Sequence, residues 1–215
     1  MDLKARVIFS LFLILGVRAY SQKPFAEGII HYKVTLGTED HQVINGTYTF
    51  IIKGSHIRKE IKLDNGYEDV LLIDCGSNKV YSLQVGNGKK YAVELSMSEL
   101  MKNQDRYKGF VLENEHAGQR SIAGCSVFKG NIKYKDGSNY EIYYTREWEP
   151  SEPVTFERFP GPGFFPLYFS YKNENNLSME FEAENITPGP IENAMFRIPP
   201  DYKMISNAEY KELNR

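Results

Sequence analysis

Apolar and polar residues alternate with a period of two along most of this chain, and that spacing admits strands and little else. Ile30, Tyr32, Val34 and Leu36 are interleaved with His31, Lys33 and Thr35. Tyr48, Phe50 and Ile52 mark a second run, and Ile57, Ile61 and Leu63 a third, between Arg58, Glu60 and Lys62. Leu177, Met179, Phe181 and Ala183 against Ser178, Glu180, Glu182 and Glu184 give the clearest two-faced strand. Turn signals punctuate these runs: Asn45-Gly46, Asp64-Asn65-Gly66, Asn87-Gly88 and Asp136-Gly137 all tolerate the positive φ of tight hairpin turns. Segments 67–75, 78–85 and 89–95 therefore read as a meander, with further strands at 126–135, 140–146, 167–172 and 176–187. Ser96-Met97-Ser98-Glu99 has the form of a capping box opening a short helix through about Gln104, and Ser206-Asn207-Ala208-Glu209 opens another. About ten antiparallel strands with two or three short helices predict a mainly β fold: a single antiparallel curved sheet or half-open β-barrel, since a flat open sheet of that size curls or splits. No fixed repeat and no domain boundary interrupts the pattern.

The N-terminus sets the compartment. Lys4 and Arg6 precede an apolar run from Val7 to Val17 and a small-x-small pattern, Ala19-Tyr20-Ser21, which together read as a secretory signal peptide over residues 1–21. An apolar run of about eleven residues falls short of the roughly twenty needed to span a bilayer. The expectation is a mature chain of residues 22–215, one β-rich domain without a membrane-spanning segment, in the periplasm or outside the cell. Losing Lys4, Arg6, Arg18 and Asp2 leaves 23 basic against 27 acidic side chains, a formal charge of −4. That balance argues against nucleic acid, whose phosphates demand a basic surface. Cys75 and Cys125 are an even pair in an oxidising compartment, able to form a disulfide or to pack as two apolar thiols. Asn45, Asn176 and Asn185 begin glycosylation sequons, a tripeptide common by chance.

One stretch is compositionally odd. After Glu149-Pro150-Ser151-Glu152-Pro153, a stiff non-helical linker, seven of the sixteen residues from 156 to 171 are aromatic, and Pro160-Gly161-Pro162-Gly163 interrupts them. Phe159, Phe164, Phe165, Leu167 and Tyr168 are the candidate ligand-binding residues. Their loop is read either as a lid whose aromatic faces accept an acyl chain or as a plug folded back over an open barrel end.

The order of landmarks resembles that of bacterial envelope proteins of unknown function, including the family named for its Gly-Leu-Pro-Gly-Leu-Ile motif. Gly28-Ile29-Ile30-His31-Tyr32 opens the mature chain, Ile122-Ala123-Gly124-Cys125 precedes a strand pair, and Ile142-Tyr143-Tyr144-Thr145-Arg146 follows it. Then come Pro162-Gly163-Phe164-Phe165-Pro166-Leu167 and the closing Phe196-Arg197-Ile198-Pro199-Pro200-Asp201-Tyr202-Lys203. Phe164, Phe165 and Leu167 match the position of the named motif, with Phe-Phe-Pro-Leu in place of Leu-Ile. Such families are similar in fold to the lipoprotein carriers LolA and LolB, whose half-open barrel covers a hydrophobic cavity with short helices. The resemblance implies that fold and an acyl ligand, and it brings no catalytic residues.

Motifs for chemistry are missing: no Gly-x-Ser-x-Gly, no phosphate-cradling Gly-rich loop, no His-Glu-x-x-His and no Cys-x-x-Cys. His31, His41, His56 and His116 lack ligand spacing, and the alternating glutamates 180, 182 and 184 read as a solvated strand face, so no metal and no cofactor is expected. The function expected is a non-enzymatic protein holding an apolar ligand, a lipid or lipoprotein acyl chain, within the curved sheet. The alternative is an interaction module that docks other envelope proteins on a barrel filled by its own side chains. A hydrolase with a dispersed acid pair is a third, weaker reading.

Overall fold

The computed structural model describes residues 23–37, 42–86, 88–102, 105–150, 158–159, 163–172 and 177–213. The expected signal peptide, Pro160 to Pro162 of the hinge and the sequon at Asn176 lie outside them. Among the described residues fourteen strands form: β1 (Lys23–Phe25), β2 (Glu27–Gly37), β3 (Val43–Lys53), β4 (His56–Leu63), β5 (Glu68–Asp74), β6 (Lys79–Gly86) and β7 (Lys89–Ser96) precede helix α1 (Met97–Lys102). After it come β8 (Val111–Ile122), β9 (Cys125–Lys133), β10 (Asn139–Thr145), β11 (Trp148–Pro150), β12 (Phe165–Lys172), β13 (Ser178–Pro188), β14 (Lys203–Ser206) and helix α2 (Asn207–Leu213).

Twelve of these strands make one curved, unclosed sheet in the order β14-β7-β6-β5-β4-β3-β2-β13-β12-β10-β9-β8. The fold is mainly β with two short helices, as the alternation predicts. Two meanders, β2 to β7 and the run of β8, β9, β10, β12 and β13, meet along a seam where Thr35 of β2 stands opposite Glu180 of β13.

Several expectations are corrected. Asn45-Gly46 is not a turn: both residues lie inside β3, paired with Thr35 and Val34 of β2. Asp64 to Gly66 does turn the chain, with Gly66 at φ 88° and its N–H donating to Leu63 O at 2.9 Å. The β8–β9 hairpin turns on Ala123 and Gly124, at φ 49° and 77°. Pairing is not wholly antiparallel, because β14 runs parallel to β7, and β1 parallel to β11 in a separate two-stranded ribbon. Glu149 and Pro150, expected in a linker, belong to that ribbon.

The two expected capping boxes form. Ser96 Oγ accepts the Glu99 N–H at 3.1 Å while Glu99 Oε2 accepts the Ser96 N–H at 2.9 Å. Ser206 and Glu209 repeat the arrangement at 3.2 and 2.7 Å. In both, the backbone N–H of the serine lowers the glutamate's pKa.

Register assigns the faces. Tyr32 stands opposite Tyr48 and Ala183, and Phe50 opposite Ile30 and Lys59, so these side chains share the concave face. At one end of that face Ile30, Tyr32, Phe50, Ile52, Ile57 and Leu167 pack into a solid core. The β1–β11 ribbon closes this end: Phe25 meets Trp148 at 5.7 Å and Phe165 at 5.1 Å between ring centroids. Tyr32, buried inside, donates its hydroxyl to Pro166 O at 2.8 Å, and burial pushes its pKa up.

The convex face carries a second, smaller core of Val70, Leu72, Leu83 and Ala92 against Ile198 and Tyr202. The chain from Gly189 to Tyr202 lies over that face as a strap. Glu27 Oε1 accepts the Ile191 N–H at 2.6 Å, Lys53 Nζ donates to Ile191 O at 2.5 Å, Arg58 donates to Met195 O at 3.2 Å, and Lys90 pairs with Asp201 at 2.7 Å.

Candidate functional site

Towards the other end the concave face is hollow. Along β4 its inward residues change from buried Ile57 and Lys59 to half-buried Ile61 and Leu63. Along β13 they change from buried Ala183 and Phe181 to half-buried Met179 and, just before the strand, half-buried Leu177. The space between is a cavity of about 530 Å³ straddling the seam, walled by Leu36, Ile61, Leu71, Phe169, Met179 and Phe181 among others. Phe169 and Phe181 stack at 4.7 Å with an interplanar angle of 9°, and Tyr48 meets Phe181 edge-on at 5.6 Å, giving a flat aromatic wall. Antiparallel pairing puts the β4–β5 turn and the adjoining ends of β2, β3, β12 and β13 at the mouth. Asn65 and Tyr67 line the cavity there.

Three charged side chains line it among the described residues: Lys59, Asp69 and Arg158. Lys59 is 4% exposed and belongs to the floor, opposite Phe50 on β3 and Leu71 on β5. Asp69 stands nearer the mouth, where its Oδ1 accepts from Gln84 Nε2 at 3.0 Å. The Arg158 guanidinium lies 3.7 Å above the Tyr171 ring and 5.0 Å from that of Tyr107, while its carbonyl accepts the Tyr134 hydroxyl at 2.5 Å. Asp69 is the one carboxylate among the described lining residues, and no three metal-ligating side chains converge anywhere among the described residues.

No protein-family model and no curated protein matches this chain. Solved structures do, among them a LolA superfamily protein from Nitrosomonas europaea, 9% identical over 82% of this chain and 92% of that one, with a TM-score of 0.39.

The five loop residues singled out from sequence separate in space. Phe159 lines the cavity and meets Phe169 edge-on at 5.2 Å. Phe164 is buried over Tyr144, with centroids 4.3 Å apart, beside a second hollow that also touches Glu115 and Arg146. Phe165 and Leu167 are buried in the solid end of the core. Tyr168 is on the opposite face, 5.6 Å from Tyr143 and beneath the Arg120 guanidinium at 4.8 Å. Burial and a hydrogen bond with Glu180 push its hydroxyl up to about 12.

Cys75 and Cys125 are not bridged. Cys75 directly follows β5, and Cys125 begins β9 at the far side of the sheet, where burial and then the Glu147 charge raise its pKa. A thiol held protonated in this way is a packing group rather than a nucleophile.

Lys59, Asp69 and Arg158 were not legible as site residues. The one available signal was at position 59, where a lysine interrupts the apolar series of Ile57, Ile61 and Leu63.

Proposed function

We propose that the mature chain, residues 22–215, is a secreted, periplasmic or extracellular binding protein without catalytic activity. Its ligand is an apolar chain, a lipid or lipoprotein acyl group, held in the cavity between the two meanders. The observation that carries this reading is the half-filled concave face: solid with side chains at one end, hollow and apolar at the other. A volume of about 530 Å³ lies within the range of small-molecule sites. Each methylene removed from water there contributes about 0.8 kcal/mol.

Native mass spectrometry of the mature protein purified from its own envelope, followed by organic extraction, tests it. A bound lipid that is lost in Ile61→Trp, which fills the hollow, supports the reading. An apo mass with no uptake of added fatty acid or lipopeptide sinks it. One observation favours docking as a second reading: Val43, Tyr67, Val85 and Val111, each more than half exposed, all sit at strand ends on the mouth side. An apo mass would turn attention to that rim as a surface for another envelope protein.

A further inference from the structure

The cavity's charges narrow the ligand class. We propose that it takes a single-chain amphiphile with an anionic head, carboxylate or phosphate, and that the head is held inward at Lys59 with the tail running toward the mouth. This rests on the cavity being a ligand site at all.

Along the inward face of β4, Ile57, Ile61 and Leu63 keep the apolar pattern, and Lys59 alone breaks it. A lysine in the body of an apolar wall costs free energy unless its charge is matched, and at this position it brings its positive charge to the floor of the cavity. Lys59 already has an interaction partner in the fold, which an entering anion would join or displace. Arg158 adds a second positive charge to the lining against the single negative charge of Asp69, one of whose oxygens accepts from Gln84. The lining is therefore net positive, and an anion is the complementary head. On the mouth side of Lys59, Leu36, Ile61, Leu63, Leu177 and Met179 give a tail an apolar path, and the polar groups there, Asn65, Tyr67 and the acidic Asp69, bring no positive charge to compete for an anionic head.

Calorimetric titration of the mature protein with four probes of equal chain length, each below its micellar concentration, tests this: palmitate, hexadecyl phosphate, hexadecanol and hexadecyltrimethylammonium. At least one anionic probe is expected to bind about ten- to a hundredfold more tightly than hexadecanol, the span of one charged hydrogen bond, with the cationic probe weakest. Whichever of palmitate and hexadecyl phosphate binds better identifies the head as carboxylate or phosphate. Lys59→Met should erase the preference, and Lys59→Arg should keep it. Equal binding of hexadecanol and both anions overturns the head-group inference and leaves the cavity reading standing, and this comparison needs only the wild-type protein. Failure of every probe to bind overturns both.

Discussion

Glu27 shows how much one carboxylate organises. It accepts the Ile191 N–H and pairs with Lys53 Nζ at 3.2 Å, and these partners lower its pKa, the Ile191 N–H most strongly. A carboxyl lowered on folding stabilises the protein fully above its ordinary value of 4.5, and that stabilisation fades as pH falls through the lowered value. In thermal melts taken from neutral pH downward, wild type should lose more of its midpoint below the glutamate range than Glu27→Gln does. Parallel curves would show that the strap is not held there. Tyr32 makes a different test, because its hydroxyl donates to Pro166 O in a dry part of the core. Tyr32→Phe leaves that carbonyl without its donor and should cost about 1–3 kcal/mol in urea unfolding. These residues also mark how far one chain can be read. Tyr32 was recognisable as inward-facing from its alternation, but its partner lies 134 positions away and nothing local announces it. Lys59 escapes any reading by alternation, because a charged residue on a strand ordinarily belongs to the wet face.

At the scale of elements, the outcome follows what each segment packs against. Strands buried on one face, such as β2 and β13, carry strict alternation and were legible along nearly their whole length. β8 was not, because it is a sheet edge with little to bury: Val111 to Ile122 is mostly exposed, and register shifts at Glu113/His116 and Ala117/Ser121 break its period. Such bulges suit an edge that must not recruit another strand. The four residues of β14 are equally unreadable, since they gain their strand character only from pairing with β7. The helices were legible for the opposite reason, their caps being entirely local. Ser206→Ala removes the acceptor of the Glu209 N–H and should cost α2 about 1 kcal/mol, seen as faster amide exchange confined to its first turn. Exchange that rose instead throughout β7 would mean that α2 supports the sheet edge.

Across the whole molecule, solid and hollow ends should respond differently to the same truncation. Ile57→Ala, in the packed end, should cost about 2–5 kcal/mol in urea unfolding, because a new void opens in a core with little freedom to collapse. Leu63→Ala, whose side chain already borders open space, should cost distinctly less. Equal losses would mean that the cavity end is as tightly packed as the base. Curvature was legible from the number of strands, but the concave face and its hollow end were not, for a geometric reason: alternation says which residues share a face, and only the completed strand order says which face is concave. That order has one more consequence. Because β2 to β7 form one meander and β8, β9, β10, β12 and β13 another, and the halves divided after α1 meet through the β2–β13 ladder with the short β1–β11 and β7–β14 ladders beside it, the polypeptide is divisible. Co-expressed halves ending at Lys102 and beginning at Asp105 should find each other and copurify through a tag on one of them. In such a complemented protein an apolar chain held in the cavity as proposed would bridge two separate polypeptides, and its affinity would become a direct reading of how strongly it glues them together.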